Sequence, residues 1–586
     1  MIMKVTCLIA FLLYGISLFG QSTHVGSDHP LQKINKRWDV LYDFDVETST
    51  TNGSLLRSEI LQKAFLLQQK TNLSEQTQKE IQYVINENIE FIESDQNNYL
   101  LINEDTLSID KSEIDYGINK SPLLKYFYKS PANFFQVETE NFKLLVNPIL
   151  NLRYGNAKND DNIIFQNTRG AELRGMIDKK VYFYTALFEN QAFFNNYLLE
   201  RIQKYQTIPG QGLYKSYNSS IIDNLRGYDY LNAQAYVGLN VSKSIAIELG
   251  HGKNFIGDGM RSLIMSEYSH NYFYLKFRTR IWKFDYQNLF TELSPISSAQ
   301  NPNDRLLPKK YMANHYLSFK PHKNVELGLF EAIIFSREDH FEFQYLNPVI
   351  LYRTVEQFLD SPDNVLIGLT GKWNILNKFQ LYSQIVLDEF KVSEISNSTG
   401  WWGNKIGFRI GAKYINAFNI ESLDLEVEYN QVRPYTYSHR DTLSNFGNVS
   451  TANYSHHNQP LAHPLGANFK EYIIGFSYEP LNNLFIQSRY VHARYGQDNG
   501  GLNYGGDILL PSSTRLNDYG NEIGQGILTN MDLFRFDLSY QLFHNYFVDL
   551  NYLYRFANAE GEEFDTKTQY LGVGIRVNVS NYNWDY

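Results

Sequence analysis

The sequence predicts an all-β transmembrane antiparallel barrel of about eighteen strands, preceded by a small N-terminal α-helical periplasmic domain. Three observations predict it. Apolar residues recur with a period of two from about Phe142 to Val579. Tight turns alternate with long loops over the same stretch. An apolar export-type leader opens the sequence, and nothing after it is long and apolar enough for a membrane helix.

The leader comes first. Met1 to Lys4 form a short positive stretch, Val5 to Phe19 are apolar, and the small Gly20 stands before Gln21. The run is shorter than the roughly twenty residues of a spanning helix, so 1–20 reads as a secretory signal peptide. Cys7, the single cysteine, lies inside it, and neither a disulfide nor a thiolate site is expected in the exported chain. Tyr (44) and Phe (39) are abundant although hydrophobic residues make up only 43%. A membrane barrel gives that combination, because only alternate residues meet lipid and aromatic girdles mark both interfaces. The formal charge of −10 speaks against a nucleic-acid partner, whose binders display basic surfaces.

Residues 21–140 read as the helical and irregular periplasmic region, with 21–50 polar and irregular. Leu55, Leu56, Ile60, Ala64 and Leu67 then recur at helical spacing. Ser74, with Gln76 and Thr77, opens a second run carrying Ile81, Val84, Ile85, Ile89 and Ile92. Two antiparallel helices joined at Lys70–Asn72 follow, packed on each other and on the barrel mouth. A short third helix is expected near Ser121–Lys129.

Residues 141–586 read as the barrel. Leu571, Val573, Ile575, Val577 and Val579 alternate with Tyr570, Gly572, Gly574, Arg576 and Asn578; Leu425, Val427 and Tyr429 alternate with Asp424, Glu426, Glu428 and Asn430. Such dyads mark strands with one apolar face. Eighteen segments are expected, from 142–154 to 565–579, with tight turns at Asp178–Lys179, Lys243, Ile281–Trp282, Pro321–His322, Ile375, Ala417–Asn419, Pro480–Leu481 and His544. The alternate connections are mostly long, as at 195–229, 252–270, 337–363, 433–467 and 496–530. Outer-membrane barrels place short turns in the periplasm and long loops outside. Closure requires the first strand to pair with the last, since an open sheet edge in hydrocarbon leaves backbone groups unbonded. Tyr582, Trp584 and Tyr586 are then expected at the periplasmic interface.

The expected lumen faces carry both signs, among them Arg174, Arg278, Lys283, Asp285, Glu428, Arg535 and Asp537. Mixed charge and long loops favour a plugged barrel over an open porin. The segment GHGKNFIGDGMRSLIMSEYS (250–269) holds four glycines and the polar set His251, Lys253, Asn254, Asp258 and Arg261. It reads as a constriction loop or as a ligand site. Tyr435, Tyr437 and Tyr454 crowd the longest loop, where they suit either sugar stacking or an aromatic girdle. The girdle is favoured for Trp401 and Trp402. His439, His456, His457 and His463, with Asp441, share that loop at a spacing that matches no ordinary metal site. The sequence holds no G-x-S-x-G elbow, H-E-x-x-H helix or phosphate loop, and His492 has no identifiable serine. No catalytic residue, metal or cofactor is expected.

The 250–269 segment, continuing through RTRIWKFDYQNLFTEL, resembles the barrel proteins grouped with the capsule-assembly protein Wzi, and more closely the Bacteroidetes gliding motility proteins of the RemB type. NTRGAELRGMIDKKVYFYTALFENQAFF (167–194) is similar to the same group. The resemblance implies a non-catalytic protein of the outer membrane, in contact with its lipid. It also implies association with surface polysaccharide in capsule-type assembly, or a link to gliding or secretion machinery. It singles out 250–262 as the shared feature.

Overall fold

The computed structural model describes residues 23–586 except 27–28, 45–48, 54, 95–98, 103–104, 111–127, 129, 159–161, 179, 220–225, 243, 298–305, 338–339, 441, 444–448, 562–564 and 582–583. The leader, Asp441, Tyr582 and nearly all of the expected third helix lie outside the described residues.

Eighteen antiparallel strands close into a barrel. They are β1 (Phe142–Ala157), β2 (Ile163–Ile177), β3 (Val181–Phe193), β4 (Arg226–Asn240), β5 (Ile245–Gly252), β6 (Tyr272–Ile281), β7 (Phe284–Leu293), β8 (Lys310–His322) and β9 (Val325–Phe335), followed by β10 (Asn364–Ile375), β11 (Phe379–Leu387), β12 (Ile406–Tyr414), β13 (Asp424–Val432), β14 (Phe469–Leu481), β15 (Leu484–Gln497), β16 (Ile527–Phe543), β17 (Tyr546–Ala559) and β18 (Thr566–Val577). Each expected strand is present. β18 pairs with β1, from Tyr570 opposite Ala157 to Val577 opposite Leu150, so the sheet has no edge. Two short strands extend it, Phe135–Glu138 beside β1 and Lys215–Asn218 beside β4. The barrel's pairing thus begins just ahead of the expected boundary at 141.

Register fixes the faces. Leu571, Val573 and Ile575 point outward and are about half exposed, while Tyr570 and Arg576 are buried inside. At one end the strands join by tight turns whose residues take left-handed backbone, among them Asp178, Trp282, Asn377 and Asn545. Mirror-type hairpin turns require that conformation because their twist matches the strands, and Asn and Asp tolerate it best. Lys283, expected in the lumen, sits instead in such a turn and donates to the Pro321 carbonyl at 3.0 Å. The long loops gather at the other end and carry helices of their own, α4 (Asn196–Tyr205) and α5 (Tyr352–Leu359).

The N-terminal helices close the short-turn end. The two expected helices are present at Arg57–Gln68 (α2) and Glu75–Glu87 (α3), with the Ser74 side chain capping α3 at the Thr77 N–H. The stretch read as irregular holds another, α1 (Pro30–Leu41). Its buried Leu31, Ile34 and Trp38 have helical spacing, diluted by the polar residues between them. Trp38, Ile60, Ala64, Phe65, Ile81, Val84 and Ile85 form the core of the bundle. Trp38 donates its indole N–H to Glu80 at 2.6 Å, which satisfies a buried donor. Ion pairs tie the bundle to the wall: Arg37 to Asp424, Arg280 to Glu59, Lys372 to Asp39 at 3.0 Å, and Arg174 to Glu90 at 2.9 Å. Arg174 and Lys372 point into the lumen, so the bundle sits in the mouth rather than beneath it.

Candidate functional site in the lumen and on the outer loops

Residues 253–271 leave β5, enter the barrel and return to β6. Two glycines let the chain approach the wall. At Gly257 the backbone is left-handed, and a Cβ at Gly259 would lie 2.0 Å from a Glu428 carboxylate oxygen. That carboxylate accepts the N–H groups of Met260 (2.9 Å) and Arg261 (3.1 Å). Gln384 accepts from Leu263 N–H and donates to the Ile256 carbonyl, both at 2.9 Å. Arg409 donates to the Arg261 carbonyl and Lys413 to that of Asp258. The wall thus pairs the backbone of an irregular segment far from water, as a buried loop requires.

Arg261 is the hub. It pairs with Glu471 at 3.1 Å and with Asp585 at 3.0 Å, and it donates to the Asp585 carbonyl at 2.7 Å. Arg489 also reaches Asp585. These two guanidinium groups hold the Asp585 carboxyl far below the usual carboxylate range, against its burial. The tail beyond β18 therefore folds up into the barrel. Trp584 packs on Phe194, and Tyr586 is buried against Tyr268 under the Arg201 guanidinium. Trp584 and Tyr586 are not at the periplasmic interface; the cationic hub draws Asp585 inward and its aromatic neighbours follow.

The remaining singled-out residues of the inner loop are also engaged. Asp258 accepts from Thr51 at 2.7 Å and Thr50 at 3.3 Å, which joins the loop to the segment before α2. Lys253 donates to the carbonyls of Gly210 and Glu267, and Asn254 bonds the Tyr272 hydroxyl. His251, at the end of β5, donates to the Ala233 carbonyl at 3.0 Å. The structure brings Asp258 and Arg261 together as plug residues, and leaves His251 at the outer rim. Between the inner loop, α1, α3 and β12–β18 lies a cavity of about 770 Å³, lined by charges of both signs that include Lys36, Arg37, Glu426, Glu479, Arg489 and Asp537. Burial there lowers Lys36 to about 8.

The longest loop presses down on this plug. Tyr437 and Tyr454 donate their hydroxyls, each at 2.6 Å, to the carbonyls of Leu263 and Ile264, and Tyr435 donates to that of Asn503 at 3.0 Å. All three are fully buried, so none presents a ring face to a sugar. This corrects the expectation of exposed aromatics: in so polar a loop, they are the groups able to fill its core. The loop histidines do not converge either. His463 bonds Glu471 at 2.8 Å, while His456 uses one nitrogen on Ser294 N–H and the other on the Asn271 carbonyl. His456 and His457 meet His270, which in turn lies against His251. Burial holds His270 and His456 well below the usual histidine range and His457 at about 4. Among the described residues no set of three potential ligands is placed to hold a metal ion. His492 bonds Asp532 at 2.9 Å on the outward wall.

Aromatic surface reaches the outside elsewhere. Residues 399–402 and 515–521 run together: Trp402 N–H donates to the Asp518 carbonyl, Gly520 N–H to that of Thr399 and Asn521 N–H to that of Gly400, each at 2.9 Å. The Arg515 guanidinium stacks 4.1 Å from the Trp402 ring centre and bonds Asp518 at 2.7 Å. Trp401 lies beside Trp402, and Tyr519 is more than half exposed. Both Trp residues stand on the loop between β11 and β12, a few residues before β12 begins. The sequence could not reveal this pairing, because the two loops are more than a hundred residues apart.

Residues 221–569 match the family model of the capsule assembly protein Wzi. The chain belongs to that family. Among solved structures, the chain is similar to the Wzi outer-membrane protein involved in group 1 capsule assembly in Escherichia coli, described as a carbohydrate-binding β-barrel. The two are 12% identical, with a TM-score of 0.55 over 96% of this chain and 100% of the other. Less similar are OprD of Pseudomonas aeruginosa (10% identity, TM-score 0.40, 75% and 96% covered) and OccAB2 of Acinetobacter baumannii (10%, 0.40, 74% and 97%). No curated protein sequence matches the chain. This Wzi-family barrel is a protein of the outer membrane; barrels of that membrane keep their short turns in the periplasm, and here the short turns and the helical bundle share one end.

Proposed function

We propose that this Wzi-family protein is a non-enzymatic, plugged barrel that holds surface polysaccharide at its outer face, with Trp401, Trp402, Arg515, Asp518 and Tyr519 as the contact platform. One observation carries the reading. The lumen is crossed by the protein's own inner loop, tail and helical bundle, so the groups left to meet a large ligand are those on the outer loops. Half-buried indoles offer apolar faces to sugar C–H groups, and the adjacent Arg and Asp offer hydroxyl partners. Membership of a capsule-assembly family supports the same reading.

The test is retention of purified protein on the host's own immobilised surface polysaccharide. Trp402→Ala is expected to weaken retention by about 1–2 kcal/mol, roughly tenfold, as for an aromatic anchor. Retention equal to wild type would remove the platform from the proposal. The resemblance to gliding motility proteins extends the reading to surface spreading, with gliding or secretion machinery as a further partner. A gene deletion that abolishes spreading while the capsule stays attached would move the role there. A porin role predicts stable conductance steps in planar bilayers, whereas the plugged barrel predicts none.

A further inference from the structure

Residues 341–359 run down the outside of the barrel, although they belong to a loop from the outer end. Beneath them the outward face of β7–β9 carries Asn288, His315 and Glu331, which stand opposite one another across the strands. These positions lie near mid-strand, where outward residues meet hydrocarbon and bare polar groups are strongly disfavoured. Here each is covered. Glu331 accepts the N–H groups of Tyr352 (3.0 Å) and Arg353 (3.1 Å) at the start of α5. His315 bonds Asn288 at 2.7 Å and the Ile350 carbonyl at 3.1 Å, and Tyr352 stacks on it at 4.0 Å. Tyr286 donates to the Pro348 carbonyl. Tyr345 and Tyr352 are buried against Phe290, Tyr311, Ile333 and Phe335 of the outer wall.

The uncovered side of the segment carries large apolar residues among the polar Gln344, Asn347, Arg353 and Gln357. Phe343, Val349 and Phe358 are each more than three-quarters exposed (77, 81 and 78%), and Leu351 is 62% exposed. Flanking outward strand residues, Phe273, Leu327, Leu329 and Leu369, are about half exposed and belong to the surface that meets lipid in any such barrel. Part of the segment's backbone is bonded within the segment itself. Tyr345 N–H bonds the Glu342 carbonyl, Val349 N–H the Asn347 side chain, and Thr354 N–H the Leu351 carbonyl. Arg353 pairs with Glu356 one turn on.

We infer that residues 341–359 form a membrane-embedded flap. It seals the polar notch Asn288–His315–Glu331 and presents Phe343, Val349, Leu351 and Phe358 to the acyl chains of the outer membrane. The occupant of this face is lipid, continuous with the lipid that surrounds the neighbouring strands.

Spin labels at Val349→Cys and Phe358→Cys, in a chain carrying Cys7→Ser and reconstituted in phosphatidylcholine vesicles, test this. Leu329→Cys serves as the lipid reference and Asn499→Cys as the aqueous one. Collision with dissolved oxygen is expected to exceed collision with a water-soluble nickel chelate several-fold at both flap sites, as at Leu329. Nickel accessibility like that at Asn499 would overturn the flap, as would protection from both probes. Dipolar broadening relieved by dilution with unlabelled protein would replace lipid by a second copy of the chain and equally overturn the assignment. Because Val349 is exposed in an irregular stretch, its variant tests the proposal even where Phe358→Cys fails to fold.

Discussion

Replacing Arg261 by Met should release the plug while leaving the barrel closed. Arg261 serves two carboxylates, Glu471 and Asp585, both buried, and makes a further bond to the Asp585 carbonyl. Removing it takes the guanidinium from both, leaving Asp585 with Arg489 alone and Glu471 with His463 and Asn430. Breaking a buried pair by losing one partner costs about 3–5 kcal/mol; with the remaining partners in place the lower end applies, which raises the population of the opened inner loop and tail by roughly 10². The strands keep their own ladders, so the cost falls on opening rather than on barrel unfolding. Amide hydrogen exchange of the protein in vesicles reads this directly. Protection in 256–266 and in 584–586 should fall together, while β17 stays protected. Arg261→Lys should fall in between, because a point charge cannot serve both carboxylates as a planar fork does. Unchanged protection in both segments, or loss that spreads to β17, would refute the assignment of Arg261 as the hub.

Acid should loosen the outer loop before the barrel. His457 has a folded value of about 4 against 6.5 in the unfolded chain, so the unfolded form takes up the proton more readily between those limits. Its contribution is therefore complete above about pH 6.5 and is lost as pH falls towards 4, with a ceiling of about 3 kcal/mol. His270 and His456 add to the effect in the same direction, and His251, Lys253 and Lys310 face the cluster with no carboxylate among them. Protease cleavage within 433–467 should rise across that window, and a flat profile would contradict it. Gly259→Ala places a Cβ on the Glu428 carboxylate; the overlap should cost about 1–3 kcal/mol and raise exchange at Met260 and Arg261, with no change meaning that the loop approaches the wall less closely. Tyr454→Phe leaves the buried Ile264 carbonyl without its side-chain partner, so exchange in 262–266 should rise by about 1–3 kcal/mol while polysaccharide retention holds. A loss of retention instead would return Tyr454 to the ligand site.

The barrel was legible because its constraint repeats at each residue. Lipid outside and water or protein inside force a period of two, and closure forces an alternation of turns and loops; Leu571, Val573 and Ile575 show the first, and Asp178 and Asn545 the second. The inner loop was legible as a constriction for a similar reason, since Gly257 and Gly259 mark a close backbone approach. What occupies that loop was not legible. Glu428, Glu471, Gln384 and Asp585 converge on it from distant parts of the sequence, and only the curvature of the closed sheet brings them together. Helix α1 escaped because a helix within a protein-filled mouth buries polar groups too: Arg37 and Asn35 are buried alongside Leu31. Tyr435, Tyr437 and Tyr454 misled for the reciprocal reason. A hydroxyl and a ring suit a buried carbonyl as well as they suit a sugar, and sequence cannot separate the two.

The mixed charge of the lumen takes its meaning from this plug. Charged residues of the wall pair with the plug: Asp424 with Arg37, Glu428 with the backbone of the inner loop, Glu471 with Arg261. Such pairs add little net stability over an apolar filling, yet each is strongly disfavoured when only one partner is present. They therefore select the closed arrangement over any partly plugged one. The same logic applies outside the wall, where Glu331 and His315 are acceptable only beneath α5. Inside and out, polar groups at positions that otherwise demand lipid or solvent act as register marks for the segment that covers each of them. Their isosteric neutral variants should accordingly loosen the covering segment more than they destabilise the barrel.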